Sequence, residues 1–151
     1  LVGAFRACSS LQSVSIPNCK TVSTSAFCFC SNLEYVNVES CSLIGQYAFY
    51  QCSRLSSISI PNCRSISYSA FDGCTNLSCA YIPSCSYLAP YIFYGCANLK
   101  SIYLTGLSRT PTVFSSTFNG VSSSCSLYVP ASLFSSFKAL SSYFPLTLVS
   151  V

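Results

Sequence analysis

Cysteine is the residue type with the most chemistry to offer in this chain, because its 151 residues include twelve cysteines and no histidine. Cysteine thiols can form disulfides, bind zinc or act as nucleophiles once they ionise. Nine of them recur every 22 residues in two columns: Cys8, Cys30, Cys52, Cys74 and Cys96 in the first, and Cys19, Cys41, Cys63 and Cys85 in the second. This spacing places them at equivalent positions of a repeated structure.

The column cysteines are predicted to be buried thiols, since free cysteine packs as a small apolar residue and is among the most buried types. Cys8 and Cys19 flank one predicted strand and would lie roughly 20 Å apart, too far for a disulfide within one coil. Neighbours along a column would have Cα atoms about 5 Å apart, inside the disulfide range. Column disulfides therefore stay an alternative. A zinc site would need four convergent cysteines, and no metal site is predicted.

Three cysteines, Cys28, Cys79 and Cys125, lie outside the columns. Cys79 falls at an outward-facing position of a predicted strand and is expected to be the most accessible thiol. A reactive cysteine needs an electropositive setting that lowers its pKa. The surrounding sequence supplies no such setting, so no nucleophilic cysteine is predicted.

The acidic residues do not form a recognisable catalytic pair. Without histidine, the usual general base and every Ser/His/Asp or Cys/His arrangement are excluded. The only carboxylates are Glu34, Glu39 and Asp72, and Asp72 falls on a different limb of the repeat from the other two. No glycine-rich phosphate loop is present. The sequence therefore predicts a non-enzymatic chain with no cofactor.

Tyrosine on the exposed side of the predicted strands is the better candidate for function. One outward column reads Ser13, Tyr35, Ser57, Cys79, Ser101, and the next reads Ser15, Asn37, Ser59, Tyr81, Tyr103. Tyrosine is enriched in binding hot spots, which makes Tyr35, Asn37, Tyr81 and Tyr103 the candidate ligand-binding residues. Tyr81 and Tyr103 are predicted to stack as neighbours. The alternative is a cross-strand pair that only stabilises the sheet.

A second aromatic set surrounds the Ala-Phe pair of the repeat. Tyr47 and Tyr91 precede this pair, and Tyr50 and Tyr94 follow it. The four tyrosines belong to two repeats separated by one, so tyrosine-rich and tyrosine-poor turns should alternate along the rim. Such a rim could bind carbohydrate or protein, or form lateral contacts between arrays.

The element that must position these residues is a coil of 22 residues. Phenylalanine keeps the same interval as cysteine at Phe5, Phe27, Phe49, Phe71 and Phe93, and the consensus is AFxxCxxLxxIxIPxCxxI. A period in the low twenties with apolar residues at fixed offsets is typical of a leucine-rich solenoid. The IxIP segment alternates as a strand does and ends at proline. For the return limb between Val22 and Ala26, a helical turn and a second short extended segment both stay open.

The 22-residue interval is not kept after the fifth unit. The step from Phe93 to Phe118 is 25 residues, which predicts an insertion within 105–116. Apolar residues at helical spacing over 133–140 then predict a closing helix, and Leu146 and Leu148 a last short strand. The chain thus divides into a repeat array over 1–130, irregular from about residue 105, and a cap of helix and short strand over 131–151.

The repeat AFCFCSNLEYVNVESC over 26–41, with its AF, cysteine, leucine and strand positions, resembles the BspA-type leucine-rich repeat. The segment 127–140 is similar to the closing cap of such arrays in surface proteins of gut and oral bacteria. The resemblance implies an α/β solenoid with 22-residue coils, one parallel β-sheet and a C-terminal helical cap. It also implies a cell-surface or secreted, non-enzymatic module that binds a host or matrix protein or a glycan in adhesion. The alternatives are a passive spacer or assembly repeat, or a targeting appendage of an enzyme.

Composition excludes two other classes of partner. Hydrophobic residues make up 51% of the chain but are interleaved with serine, asparagine and threonine, so no run reaches the roughly 18 residues of a membrane span. The net charge of +4 comes from seven dispersed basic residues, whereas nucleic-acid binding needs a basic stripe. Because the chain begins at Leu1 within a repeat and without a polar cap, it is expected to be the C-terminal piece of a longer protein.

Overall fold

The computed structural model describes residues 2–143 and 146–151. In chain order the strands are β1 (Ser13–Ser15), β2 (Thr21–Val22), β3 (Tyr35–Asn37), β4 (Leu43–Ile44), β5 (Ser57–Ser59), β6 (Ser65–Ile66), β7 (Cys79–Tyr81), β8 (Tyr87–Leu88), β9 (Ser101–Tyr103), β10 (Ser126–Val129) and β11 (Thr147–Ser150). The cap contains 3₁₀ helices over Ala131–Leu133 and Ser141–Tyr143 and one α-helix, α1 (Phe134–Ala139). The predicted solenoid with 22-residue coils and a helical cap is confirmed.

The strands of the IxIP segments stack in parallel and form the front of the solenoid. Strands β5, β7, β9, β10 and β11 make one five-stranded sheet, while β1 and β3 pair separately. The register follows the repeat, so that Tyr81 lies opposite Tyr103 and Ser59 opposite Tyr81. The front ladder is interrupted between β3 and β5, where the candidate residues Tyr35 and Asn37 lie.

The return limb forms a further parallel sheet, so the expected single sheet is corrected. Strands β2, β4, β6 and β8 pair in sequence order on the opposite side of each coil. Backbone N–H groups here donate to carbonyls one coil earlier, as from Gly45 to Val22 at 2.8 Å and from Ser67 to Ile44 at 2.9 Å. A helical turn would use carbonyls of its own coil. Pairing between coils therefore selects the extended alternative for the strand residues such as Thr21–Val22, whereas the turn that follows bonds within its own coil, from the Ala26 N–H to the Ser23 carbonyl at 3.2 Å.

The phenylalanine column is the centre of the core. Rings of successive coils stack nearly parallel, with centroids 5.4 Å apart for Phe27 and Phe49 and 5.3 Å apart for Phe49 and Phe71. Phe49 and Phe71 are fully buried, and Ala48 and Ala70 beside them are also buried. Phe5 in the first coil stacks on Phe27 and is 48% exposed. Stacking along the solenoid, and not burial within one coil, makes this core.

Both cysteine columns use their thiols as hydrogen-bond donors. In the first column Cys52 Sγ donates to the carbonyl of Phe27 at 3.1 Å, and Cys74 Sγ to that of Phe49 at 3.1 Å. In the second, Cys41 Sγ donates to the carbonyl of Leu43 at 3.0 Å. All twelve cysteines are free thiols. Burial raises the pKa of Cys96 to about 12, so this thiol keeps its proton at neutral pH.

The exposure of the column cysteines depends on their place in the array. The seven from Cys30 to Cys96 are buried as predicted, whereas in the first coil Cys8 is exposed and Cys19 is half-buried. The prediction that Cys79 would be the most accessible thiol is wrong, since Cys79 is only half-buried while Cys8 is exposed. Cys28 and Cys125, both outside the columns, are buried.

The last part of the chain closes the core. Over 105–116 the backbone is irregular and touches the return sheet through a bridge from Thr112 to Tyr87. Thr117, fully buried, donates its hydroxyl to the carbonyl of Leu88 at 3.1 Å. In α1 only Phe137 is buried, and the final strand β11 pairs with β10. The predicted last strand is present, with Leu148 in it.

Candidate functional site

The front sheet carries a column of three tyrosines. Tyr81, Tyr103 and Tyr128 occupy equivalent positions in β7, β9 and β10. The rings of Tyr81 and Tyr103 are 6.2 Å apart and tilted by 50°, whereas those of Tyr103 and Tyr128 are 4.4 Å apart and within 9° of parallel. The close stack thus lies one coil further along than predicted. Tyr128 is not among the predicted site residues, although it follows Phe118 by ten residues as Tyr103 follows Phe93.

The other two candidate residues line a separate depression. Tyr35 and Asn37 enclose a cavity of about 310 Å³ together with Ser57, Ser59, Glu39 and Pro61. Tyr35 is 58% exposed. The small serine side chains of β5 leave space for this depression. It lies where the hydrogen-bonded ladder of the front sheet is interrupted, between β3 and β5.

The four predicted site residues therefore form two groups. Tyr81 contacts Tyr103, and Tyr35 shares a cavity with Asn37. Within the described residues no ring contact joins Tyr35 to Tyr81, because the coil that carries Ser57 and Ser59 lies between them. A ligand that used all four residues would have to span four coils of the front sheet.

The return side carries an aromatic network, here called the return-side cluster. It consists of Phe29, Tyr47, Tyr50, Tyr68, Tyr91 and Tyr94. Its rings meet edge to face: Tyr47 and Tyr50 lie 5.6 Å apart at 82°, and Tyr47 and Tyr68 lie 5.8 Å apart at 87°. The sequence indicated the tyrosine pairs around the Ala-Phe corner. It did not show that Tyr68 connects the two pairs by contacting both Tyr47 and Tyr91, or that Phe29 packs against Tyr50.

Part of this cluster lines a cavity of about 380 Å³, here called the aromatic pocket. Its lining consists of Arg6, Ser25, Cys28, Phe29, Tyr47, Tyr50, Tyr68, Ser69 and Asp72. Seven of these residues belong to two repeat columns, one with Arg6, Cys28, Tyr50 and Asp72 and the other with Ser25, Tyr47 and Ser69. The pocket therefore runs along the solenoid axis across four coils. Reading those two columns together is the sequence signal that could have found it.

Alternation of small and large residues opens the aromatic pocket. Ser25, Tyr47, Ser69 and Tyr91 occupy one position in four successive coils, with φ of 55°, 55°, 49° and 59°. Residues other than glycine rarely adopt positive φ, so the tight corner, and not residue preference, imposes this conformation. Because serine lies on both sides of Tyr47 in the column, room is left next to its ring.

The two ends of the aromatic pocket carry opposite charges. The Arg6 guanidinium lies 5.5 Å from the centroid of the Phe29 ring. At the other end, Ser69 Oγ donates to Asp72 Oδ2 at 3.1 Å. Burial raises the pKa of the Asp72 carboxyl, and the hydrogen bond from Ser69 opposes that change. The one ion pair among the described residues joins Arg54 to Glu34, so neither Arg6 nor Asp72 is neutralised by a charged side chain.

The three carboxylates are dispersed. Glu34 pairs with Arg54 at 3.4 Å on the surface, Glu39 borders the front depression, and Asp72 lies in the aromatic pocket on the return side. No acid/base pair of the kind used by glycosidases is assembled from them. In the described part of the chain no helix is long and apolar enough to span a bilayer.

Comparison with known proteins places the chain in a family. The model of the BspA type leucine rich repeat region matches six copies, over residues 2–100 and 42–144. Comparison with curated proteins finds no match. Among solved structures, a leucine rich repeat protein of T. pallidum is 25% identical with a TM-score of 0.65, covering 68% of this chain and 50% of its own.

A leucine-rich repeat protein of Bacteroides ovatus is 17% identical with a TM-score of 0.37, covering 99% of this chain and 56% of its own. The present chain thus spans about half the length of each solved protein. The six matched copies extend over nearly all of the sequence. The chain belongs to the BspA-type leucine-rich repeat family.

Proposed function

We propose that the chain is a non-enzymatic protein-binding module of a bacterial cell-surface or secreted protein, and that it engages its partner through the front sheet. The observation that carries this proposal is the column of Tyr81, Tyr103 and Tyr128 on a parallel sheet. Tyrosine brings large contact area at low entropic cost and is enriched at binding hot spots. The surface and adhesion setting rests on membership of the BspA-type family.

The stacking geometry favours a protein over a glycan at this column. Sugars pack on exposed aromatic faces, but Tyr103 and Tyr128 cover each other's faces at 4.4 Å. The stack presents ring edges and phenol hydroxyls instead. The phenol hydroxyls donate hydrogen bonds to, and accept them from, a peptide backbone and polar side chains, while the ring edges supply apolar contact.

The depression at Tyr35 adds shape to this surface. Its volume of about 310 Å³ is lined by Asn37, Ser57 and Ser59, so it offers polar groups beside an exposed ring. A side chain of the partner inserted there would meet Tyr35 while the partner covers the tyrosine column further along the sheet.

A passive spacer is the competing function. In that case Tyr81, Tyr103 and Tyr128 would stabilise the sheet as cross-strand neighbours and bind nothing. The dispersed carboxylates and the lack of histidine in the sequence fit both functions and argue against catalysis.

The experiment is a binding screen against matrix proteins, mucins and a glycan array, with the double variant Tyr81→Ala, Tyr103→Ala beside the original chain. We expect a protein ligand whose binding falls at least about ten-fold in the variant. Tyr94→Ala, which removes an exposed tyrosine of the return side, is the matched control and should bind normally. Urea denaturation of each variant separates lost contacts from lost folding.

A hit that survives the double variant would exclude the tyrosine column as the site. If the only ligands are glycans, the argument from covered ring faces is wrong. Absence of any ligand would favour the spacer.

A further inference from the structure

The aromatic pocket on the return side is a second site, independent of the front sheet. Its distinguishing feature is that its lining residues are arranged in sequence along the solenoid axis. Arg6, Cys28, Tyr50 and Asp72 follow one another at 22-residue intervals along one wall. A cation therefore lies in the first coil, an anion in the fourth, and aromatic rings between them.

The separation of the charges suits a ligand that carries both signs. Arg6 and Asp72 are three coils apart, which corresponds to roughly 14 Å between their backbones at about 4.8 Å per coil. No ion pair joins them within the described residues. Because each keeps its charge unpaired, a zwitterion lying along the pocket would neutralise both ends at once.

The rings between the two ends favour a soft, weakly hydrated cation. Phe29, Tyr47, Tyr50 and Tyr68 line the pocket and meet edge to face, at 90° for Phe29 and Tyr50 and 82° for Tyr47 and Tyr50. Rings that meet at right angles differ in orientation and border the pocket on more than one side, which is the arrangement in which aromatic residues hold a quaternary ammonium group. A sugar would instead pack the C–H face of its ring on a single exposed aromatic face.

One ring of the pocket, Phe29, already contacts a cation of the protein itself. The Arg6 guanidinium stands over the Phe29 ring at 5.5 Å. The positive charge of Arg6 repels a ligand that is only a cation. It attracts a ligand whose cation is linked to an anionic group. A zwitterion therefore suits the pocket better than a plain methylated amine does.

We propose that the aromatic pocket binds a phosphocholine-type zwitterion, with the trimethylammonium group among the rings beside Asp72 and the phosphate beside Arg6. The cavity of about 380 Å³ has room for this head group. Arginine recognises phosphate through paired N–H donors. The site does not depend on the front-sheet function, and either can fail without the other.

The test is titration of the purified chain by calorimetry with phosphocholine, choline, inorganic phosphate and 3,3-dimethylbutyl phosphate. The last compound replaces the quaternary nitrogen by carbon and removes only the positive charge. Phosphocholine should bind at least about ten-fold more tightly than this analogue and than inorganic phosphate. Equal affinities for phosphocholine and the carbon analogue, or no phosphocholine binding at about 10 mM, would overturn the proposal.

Charge variants give the sharper control because their effects differ in sign. Asp72→Asn should weaken the binding of phosphocholine and of choline alike, by about ten-fold, since it removes the carboxylate beside the ammonium group. Arg6→Gln should weaken the binding of phosphocholine, because it removes the partner of the phosphate. It should strengthen the binding of choline, because it removes a charge that repels the ammonium group. Tyr50→Leu should weaken both ligands, while Tyr94→Leu, outside the pocket lining, should weaken neither. Binding that responds to neither charge variant refutes the assignment.

Vesicles of phosphatidylcholine identify the source of the head group. Binding to vesicles with the same losses in Asp72→Asn and Arg6→Gln would support a lipid-borne group. Binding of soluble phosphocholine alone would support a free or glycan-linked group. Vesicle binding that both variants retain contradicts a role for the pocket.

Discussion

The thiol of Cys52 donates a hydrogen bond of 3.1 Å to the carbonyl oxygen of Phe27 in the preceding coil. The same bond recurs from Cys74 to Phe49 and from Cys96 to Phe71. The first cysteine column thus connects successive coils through side chain to backbone bonds. This explains why a cysteine, small and apolar but with a donor, suits the position.

Replacement of Cys52 by alanine should destabilise the fold by about 1 to 2 kcal/mol, through a small cavity and a lost hydrogen bond. The carbonyl of Phe27 keeps its bond from the Cys30 N–H, so no buried acceptor is orphaned. Cys52→Val should cost less, since valine occupies the equivalent position at Val121. Cys8→Ala, at an exposed thiol, is the control. Urea denaturation measures all three, and an equal loss for Cys8→Ala would contradict the explanation.

The loss of stability on replacing a phenylalanine of the column by alanine should depend on the coil in which it lies. Phe49→Ala removes a fully buried ring that stacks on two neighbours and should cost roughly 3 to 5 kcal/mol. Phe5→Ala removes a ring that is 48% exposed and should cost far less. Chemical denaturation of both variants checks the difference, and similar losses would mean that the first coil is as well packed as the third.

Buried thiols should make the protein sensitive to alkali. Burial raises the pKa of Cys96 from 9.0 to about 12, so between these values the unfolded chain loses a proton that the folded chain keeps. Stability from this group is therefore full below pH 9 and falls as pH rises, by about 1.4 kcal/mol per pH unit. The stability difference between the original chain and Cys96→Ala should narrow from pH 9 to 10.5. A constant difference would show that Cys96 ionises alike in both states.

The carboxylate of Asp72 should reduce stability at neutral pH in the absence of a ligand. Because burial raises its pKa, folding favours the protonated form, and the stability from this group is lost as pH rises through the folded pKa. Asp72→Asn should therefore stabilise the free chain at pH 7 by less than about 1 kcal/mol, since solvent screens a partly exposed charge. The gain should vanish at about pH 3. Thermal denaturation at the two pH values measures it, and a loss of stability at pH 7 would contradict the sign.

Several features of the fold follow from short-range sequence patterns. The interval of 22 residues between Phe27, Phe49 and Phe71 predicts the solenoid, and alternation ending at Pro17 or Pro61 predicts the front strands. Periodicity carries this information because every coil buries the same positions. The return limb was ambiguous, since two apolar residues such as Leu43 and Ile44 suit a strand or a helical turn equally.

The repeat, the family, the cysteine columns and the candidate tyrosines could all be predicted from the amino-acid sequence. Which of those residues contact one another depends on the three-dimensional packing. It separated Tyr35 from Tyr81, stacked Tyr103 on Tyr128 at 4.4 Å, and brought Arg6, Phe29 and Asp72 into one pocket. The packing is needed because a side chain's neighbours along the solenoid lie one coil away, 22 residues distant in sequence. Ring orientation, corner conformation and gaps in the ladder are therefore set by contacts between coils that a single repeat does not contain.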